Sequence, residues 1–179
     1  MRIIGGLYRH RNIDFPLNAK TRPTKDMVRQ GIFNAIAPDI NGKTVLDLFA
    51  GSGAMGIEAI SRGASKAIFI DHDYEAISCI KKNLSSLNIT AFEVYRMEAQ
   101  KALDFFASKQ YVFDVVFLDP PYAENLFVLI IGRLINEGLL AQNGIIVLEN
   151  QKPIIPDSIP FKKSKTYHYG ITEVTILWR

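Results

Sequence analysis

Four short apolar runs punctuate the chain: Val45-Leu46-Asp47-Leu48-Phe49, Ala67-Ile68-Phe69-Ile70, residues 112–118 and Ile145-Ile146-Val147-Leu148. Each is shorter than a typical helix and rich in β-branched and aromatic residues, as expected of strands covered on both faces in a parallel sheet. Between them the apolar period becomes helical, first at Ile77, Ile80, Leu84 and Leu87, then at Leu126, Leu129, Ile130 and Leu134. A weaker strand over residues 91–95 and a short helix over 99–107 fill the gap. This alternation predicts a doubly wound α/β sheet. The last stretch departs from it. Residues 161–169 and 171–178 read as strands joined directly at Tyr169-Gly170, a connection tight enough only for antiparallel neighbours. Pro153, Pro156 and Pro160 make the preceding segment a loop. At the other end, residues 2–4 and 8–13 flank Gly5-Gly6 as a small hairpin, and Thr24 caps a helix over 25–37 that stops before Pro38.

A chain of 179 residues suits one domain, here a 1–37 extension on a 38–179 core. With 48% apolar and 22% charged residues it reads as globular rather than disordered. Neither a membrane-length apolar run nor a secretory signal is visible, so a cytoplasmic protein is expected. The lone Cys79 forms no internal disulfide and reads as buried filler beside Ile77 and Ile80. Three scattered histidines with one cysteine make no metal-ligand pattern, so no metal is expected. The net charge of +3 is unevenly spread. Residues 1–37 carry Arg2, Arg9, Arg11, Lys20, Arg22, Lys25 and Arg29 against Asp14 and Asp26, a balance of +5. A basic arm on a slightly acidic remainder points to a polyanionic partner, or to a merely solvated segment.

Directly after the first core strand comes Gly51-Ser52-Gly53-Ala54-Met55-Gly56, with Asp71 closing the next strand 20 residues after Gly51. Glycines permit a tight turn and close approach of backbone to ligand, the following helix offers free N–H groups, and Asp71 suits a ribose diol. An adenosine-containing cofactor follows, either a nicotinamide dinucleotide or S-adenosylmethionine. Asp47 favours the second. It is the one charge inside its strand, and a buried carboxylate needs a cationic or N–H partner. The methionine ammonium could serve, and a dinucleotide has none there; nearby backbone N–H groups are the other source.

The third apolar run ends in Asp119-Pro120-Pro121-Tyr122. A residue before proline is held extended, and proline has a fixed φ and no N–H. The turn therefore presents acceptors without competing donors. The Asp119 carboxylate and the Pro120 carbonyl can receive both hydrogens of an –NH₂ group while Tyr122 stacks on the ring that bears it. Such a grip suits methyl transfer to an aromatic amine, whose lone pair is otherwise delocalised into its ring.

The run from Asp47 to Gly56, with Glu58-Ala59-Ile60-Ser61-Arg62-Gly63-Ala64, resembles the RsmD-type 16S rRNA (guanine-N2)-methyltransferases. So do the opening Arg2-Ile3-Ile4-Gly5-Gly6 and Arg22-Pro23-Thr24 with Asp26, Val28 and Arg29, so that the resemblance covers nearly the whole chain. It implies a bacterial protein with a class I S-adenosylmethionine-dependent methyltransferase (Rossmann-like) sheet of seven strands, ending in an antiparallel hairpin. It also implies methylation of guanine N2 in 16S rRNA, within a small-subunit assembly intermediate; a monomer is expected. By position, Asp47, Phe49, Ala50, Gly51 and Gly53 would line S-adenosylmethionine, Asp71 its ribose and Glu98 its adenine. Asp119, Pro120, Pro121 and Tyr122 would form the catalytic turn, and Arg9, Arg11, Arg22 and Arg29 would meet RNA. The chain has Arg9-His10-Arg11 where the family usually has Arg-Gly-Arg, and Met27 where an arginine is frequent. The rival readings are a DNA adenine or cytosine amino-methyltransferase, a small nicotinamide dehydrogenase and a non-enzymatic RNA-binding assembly factor. The first usually needs an added target-recognition region, the second leaves Asp47 and the proline turn unexplained, and the third leaves intact cofactor and catalytic motifs without a use.

Overall fold

Seven strands form one sheet: β1 Thr44–Asp47, β2 Lys66–Asp71, β3 Phe92–Arg96, β4 Phe113–Leu118, β5 Leu140–Asn150, β6 Lys163–Tyr169 and β7 Thr172–Trp178. The computed structural model describes residues 1–16, 26–120, 124–150 and 161–179. The strand order is β3-β2-β1-β4-β5-β7-β6, parallel through β5 and antiparallel where β7 meets β5 and β6. The class I methyltransferase sheet with a terminal hairpin, expected from the sequence, is the sheet observed. Among the described residues five α-helices cover it: α1 Asp26–Ala35, α2 Ala54–Ser61, α3 Tyr74–Ser86, α4 Ala99–Ser108 and α5 Glu124–Asn136.

The apolar runs have a direct structural cause. Along each central strand successive side chains point to opposite faces, and both faces are covered. Val45, Phe69, Val115 and Val147 enter one core with α1, α2 and α3. Leu46, Ile68, Val116 and Ile146 enter the other with α4 and α5. Among the described residues, no helix is long and apolar enough to cross a membrane.

Several boundaries differ from the expected ones. The first helix ends at Ala35, and Pro38 lies in a short 3-10 turn, Ala37–Asp39. The Thr24 cap and Pro153, Pro156 and Pro160 lie outside the described residues. Strand β5 starts at Leu140 rather than near Ile145, because its register against β4 slips between the Phe113–Leu140 and Val115–Ile145 pairs. Cys79 is only half-buried. Its Sγ lies 3.4 Å from the Asp14 carbonyl, so it lines a seam between helix and arm rather than filling the interior.

The N-terminal residues form a small hairpin around an antiparallel Arg2–Asn12 bridge. His10 adopts φ 69° there, a left-handed conformation natural to glycine and tolerated by histidine. The hairpin is fastened to α2. The buried Glu58 carboxylate accepts from the Ile4 and Gly5 N–H groups, each at 2.8 Å, and from Arg62 Nε at 2.7 Å. Gly6 (φ 76°) lets the chain press so close to α2 that a Cβ would fall 1.8 Å from the Ser61 carbonyl oxygen.

Candidate active site at the carboxyl edge of the sheet

From β1 the chain runs outward through β2 to β3, then returns to lay β4 on the other side of β1. Connections leave β1 and β4 in opposite directions, so their carboxyl ends open the gap where α/β sheets bind ligands. The glycine loop lines this gap. It is fixed by Leu48 N–H donating to Phe117 O (3.2 Å) and Ala50 N–H to Ile70 O (2.9 Å). Phe49 is half-buried against the α4–α5 core, and Ala50 is buried against the other.

The three glycines do different work. Gly51 has φ 54°, and a Cβ there would meet nothing within 4 Å, so open space lies over the backbone where a ligand would approach. Gly53, at φ 79°, turns the chain into α2. At Gly56 a Cβ would sit 2.3 Å from the Phe69 ring, so this glycine brings helix and strand together rather than facing a ligand.

Carboxylates gather at the same edge. Asp47 is 4% exposed and accepts from the Gly56 N–H at 3.1 Å. Burial pushes its carboxyl up to about 7 against that hydrogen bond, and the negative charges of Asp71 and Asp119 add to the rise. Asp71 accepts from the Gly51 N–H through one oxygen and from the Asp73 N–H through the other, both at 2.9 Å. It thus ties the glycine loop to the end of β2, and each oxygen keeps acceptor capacity for a ribose hydroxyl. Glu98 is exposed at the start of α4, with no side-chain cap bond.

Asp119 and Pro120 follow β4 directly, and Asp119 lies two residues beyond Phe117, the β-sheet partner of Asp47. The Asp119 side chain reaches solvent, yet enough protein surrounds it that desolvation raises its carboxyl to about 6. Pro120 is buried. Pro121 and Tyr122 lie outside the described residues, as does Arg22.

Arg9 and Arg11 are exposed on the N-terminal hairpin, where Arg11 donates to the Ser86 carbonyl at 3.2 Å. Arg29 corrects the expectation that it meets RNA. Its side chain is fully buried and donates to the Arg2 carbonyl (2.7 Å) and the Asp26 carboxylate (2.8 Å), so it braces the hairpin against α1. A guanidinium so enclosed has no route to a phosphate.

One polar residue at the site escaped sequence reasoning. Asn83, 2% exposed, accepts from the Asp14 N–H at 2.7 Å and donates at 3.0 Å to both the Asp14 carbonyl and the Ser52 carbonyl of the glycine loop. The signal was present, for Asn83 interrupts the apolar stripe of Ile80, Leu84 and Leu87. A polar side chain on a buried face needs polar partners.

The family model described as conserved hypothetical protein 95 matches residues 1–178. Ribosomal RNA small subunit methyltransferase D of Haemophilus influenzae is 39% identical over 171 residues, covering 93% of this chain and 88% of its own. Among solved structures, yhhF of Escherichia coli has a TM-score of 0.84 at 32% identity, covering 100% of this chain and 97% of that one. The Thermus thermophilus 16S rRNA N2 G1207 methyltransferase RsmC, solved with AdoMet and guanosine, has a TM-score of 0.71 at 17% identity. That match covers 100% of this chain and 49% of the other, a likeness of fold.

Proposed function

The chain belongs to the conserved hypothetical protein 95 family, that of the ribosomal RNA small subunit methyltransferase D proteins, and on that premise we propose that it methylates a guanine N2 amine of 16S rRNA with S-adenosylmethionine. The substrate proposed is a protein-bound small-subunit assembly intermediate, and the acting form a monomer. The observation that carries the cofactor reading is the charge at the glycine loop. The charges acting on Asp47 are two further carboxylates, Asp71 and Asp119. A gap lined in this way repels a dinucleotide pyrophosphate and attracts a ligand bearing an ammonium and a sulfonium.

Asp47 is the residue to hold the ammonium, directly or through water, and Asp71 the ribose hydroxyls, while the open space over Gly51 admits the ligand against backbone. When bound, S-adenosylmethionine supplies a methyl group on sulfonium, which the amine lone pair takes up as the C–S bonding pair leaves with sulfur. Asp119 accepts a hydrogen bond from the guanine amine, and the Pro120 carbonyl accepts the second. Holding both N–H groups turns the nitrogen lone pair out of conjugation and aims it across the gap. The Asp119 carboxylate offsets positive charge developing on nitrogen, and the amine proton then leaves to Asp119 or solvent.

The test is direct. The purified chain is incubated with methyl-labelled S-adenosylmethionine and small-subunit particles lacking this modification, and digested rRNA is read by mass spectrometry. Labelled N2-methylguanosine at one position is expected. Label on another base or atom, or tighter calorimetric binding of NAD than of S-adenosylmethionine, overturns the reading.

A further inference from the structure

Charge falls in three blocks along the chain. Residues 161–179 carry Lys162, Lys163, Lys165 and Arg179 against Glu173, a balance of +3. Residues 1–37 stand at +5, and residues 38–160, with ten basic and fifteen acidic side chains, at −5. An acidic body therefore carries basic segments at both ends of the sequence.

The fold turns both segments to one face. Tyr167, Tyr169 and Trp178 of the terminal hairpin pack on the same core as Met1 and Tyr8 of the arm and Val28 and Ile32 of α1. Helix α1 sits against the hairpin so closely that a Cβ on Gly31 would lie 1.8 Å from the Tyr169 hydroxyl. Strand alternation puts Lys163 and Lys165 on the side of Tyr167 and Tyr169. Both lysines are exposed, with Nζ of Lys163 4.6 Å over the Trp178 ring and Nζ of Lys165 4.7 Å over that of Tyr167. Glu173, the one acid of the hairpin, lies opposite His168 in the cross-strand register and pairs with it at 3.2 Å, on the other face. On α1 the exposed Met27 and Asn34 are uncharged, and the partly exposed Asp26 carboxylate is paired with Arg2 and Arg29.

From this arrangement we infer that the Lys163–Lys165 face of β6 is a second docking surface for RNA phosphates, so that substrate RNA crosses the arm, α1 and β6 together. The inference rests on the reading of the substrate as RNA. Strand β6 runs parallel to β4, so it ends at the same sheet edge as Asp119. Lys163 lies six residues back from Tyr169, about 20 Å at the rise of an extended strand, which is several nucleotides from the reacting base. The other role open to lysines on an edge strand is to block pairing with a second sheet. Charge of either sign does that. Two lysines on one face of an edge strand, matching the sign of the arm across the same face, are what a polyanion selects.

The experiment measures binding of the full chain to unmodified small-subunit particles and to naked 16S rRNA transcript over a range of salt concentrations. It compares the parent with Lys163→Ala/Lys165→Ala and with Lys163→Glu/Lys165→Glu. For two lost phosphate contacts the slope of log affinity against log salt should shrink by roughly 1.4, with affinity near physiological salt falling about tenfold. The charge-reversed variant should fall further, and both should keep parental S-adenosylmethionine binding by calorimetry, which reports an intact fold. A parental slope in both variants overturns the inference, and self-association of the variants would then assign the lysines to edge protection. A parent that binds RNA with no salt dependence would instead remove the RNA reading itself, and this surface with it.

Discussion

At the scale of single residues, two carboxylates with raised pKa values stand at the carboxyl edge of the sheet, and each gives a pH prediction. Asp47 in the folded chain titrates at about 7, above its ordinary value of 3.8, so the fold binds its proton more tightly than the unfolded chain does. The stability it contributes is fully present below pH 4 and is lost as pH rises through 7. Asp47→Asn keeps an acceptor for the Gly56 N–H and removes that loss. The variant should melt at a higher temperature than the parent at pH 8, with the gap closing at pH 5, while S-adenosylmethionine binding weakens in calorimetry. An equal gap at both pH values would mean that the Asp47 charge is not buried. Asp119 titrates at about 6, and in the proposed mechanism its carboxylate form accepts the amine hydrogen. Single-turnover rates should fall below pH 6. Asp119→Ala should lower turnover by roughly 10²-fold or more with cofactor affinity unchanged, on the scale of losing a preorganised electrostatic group. Asp47 was legible in the sequence because a charge inside an apolar strand stands out. Arg29 was not. Whether an arginine meets RNA or the protein's own carbonyls depends on how the arm folds back on α1, and local sequence carries no trace of that.

At the scale of elements, periodicity revealed what burial dictates. Strands β1, β2 and β4 were readable because both of their faces must be apolar. The start of β5 was hidden by Gln142-Asn143-Gly144, a polar stretch that reads as a turn and instead falls where the pairing slips. The glycine loop was legible as a motif, but only packing separates Gly51, open to a ligand, from Gly56, pressed on Phe69. The grip of α2 on the arm was equally hidden, since Glu58 looks like any exposed helical glutamate. Glu58→Ala would strand two backbone N–H groups and the Arg62 guanidinium, a loss of about 3–5 kcal/mol on the scale of broken buried ion pairs. Denaturant unfolding should register that loss, and hydrogen exchange at the Ile4 and Gly5 amides should accelerate first. Exchange in the variant as slow as in the parent would show that the arm is held by other contacts.

At the scale of the molecule, function depends on segments remote in sequence sharing a face or an edge. The basic arm was visible as composition, whereas its position on the same sheet face as α1 and the Tyr167 side of β6 required the fold. Neutralising it with Arg9→Ala and Arg11→Ala should weaken binding to small-subunit particles and flatten its salt dependence, leaving calorimetric cofactor affinity intact. An unchanged slope would mean that the hairpin does not touch phosphate.

The order of the sheet has a temporal consequence. Strand β4 takes its place beside β1 only after two complete strand–helix units have been synthesised between them. Such a non-local pairing forms slowly, because the loop must close before the contacts reward it. Until it forms, Asp47 and Asp119 belong to separate half-sheets, and a nascent chain still short of residue 119 lacks half of the proposed site. The only tryptophan, Trp178, lies on β7 in the later half, so its emission during refolding would track the arrival of that half and stay blind to the first.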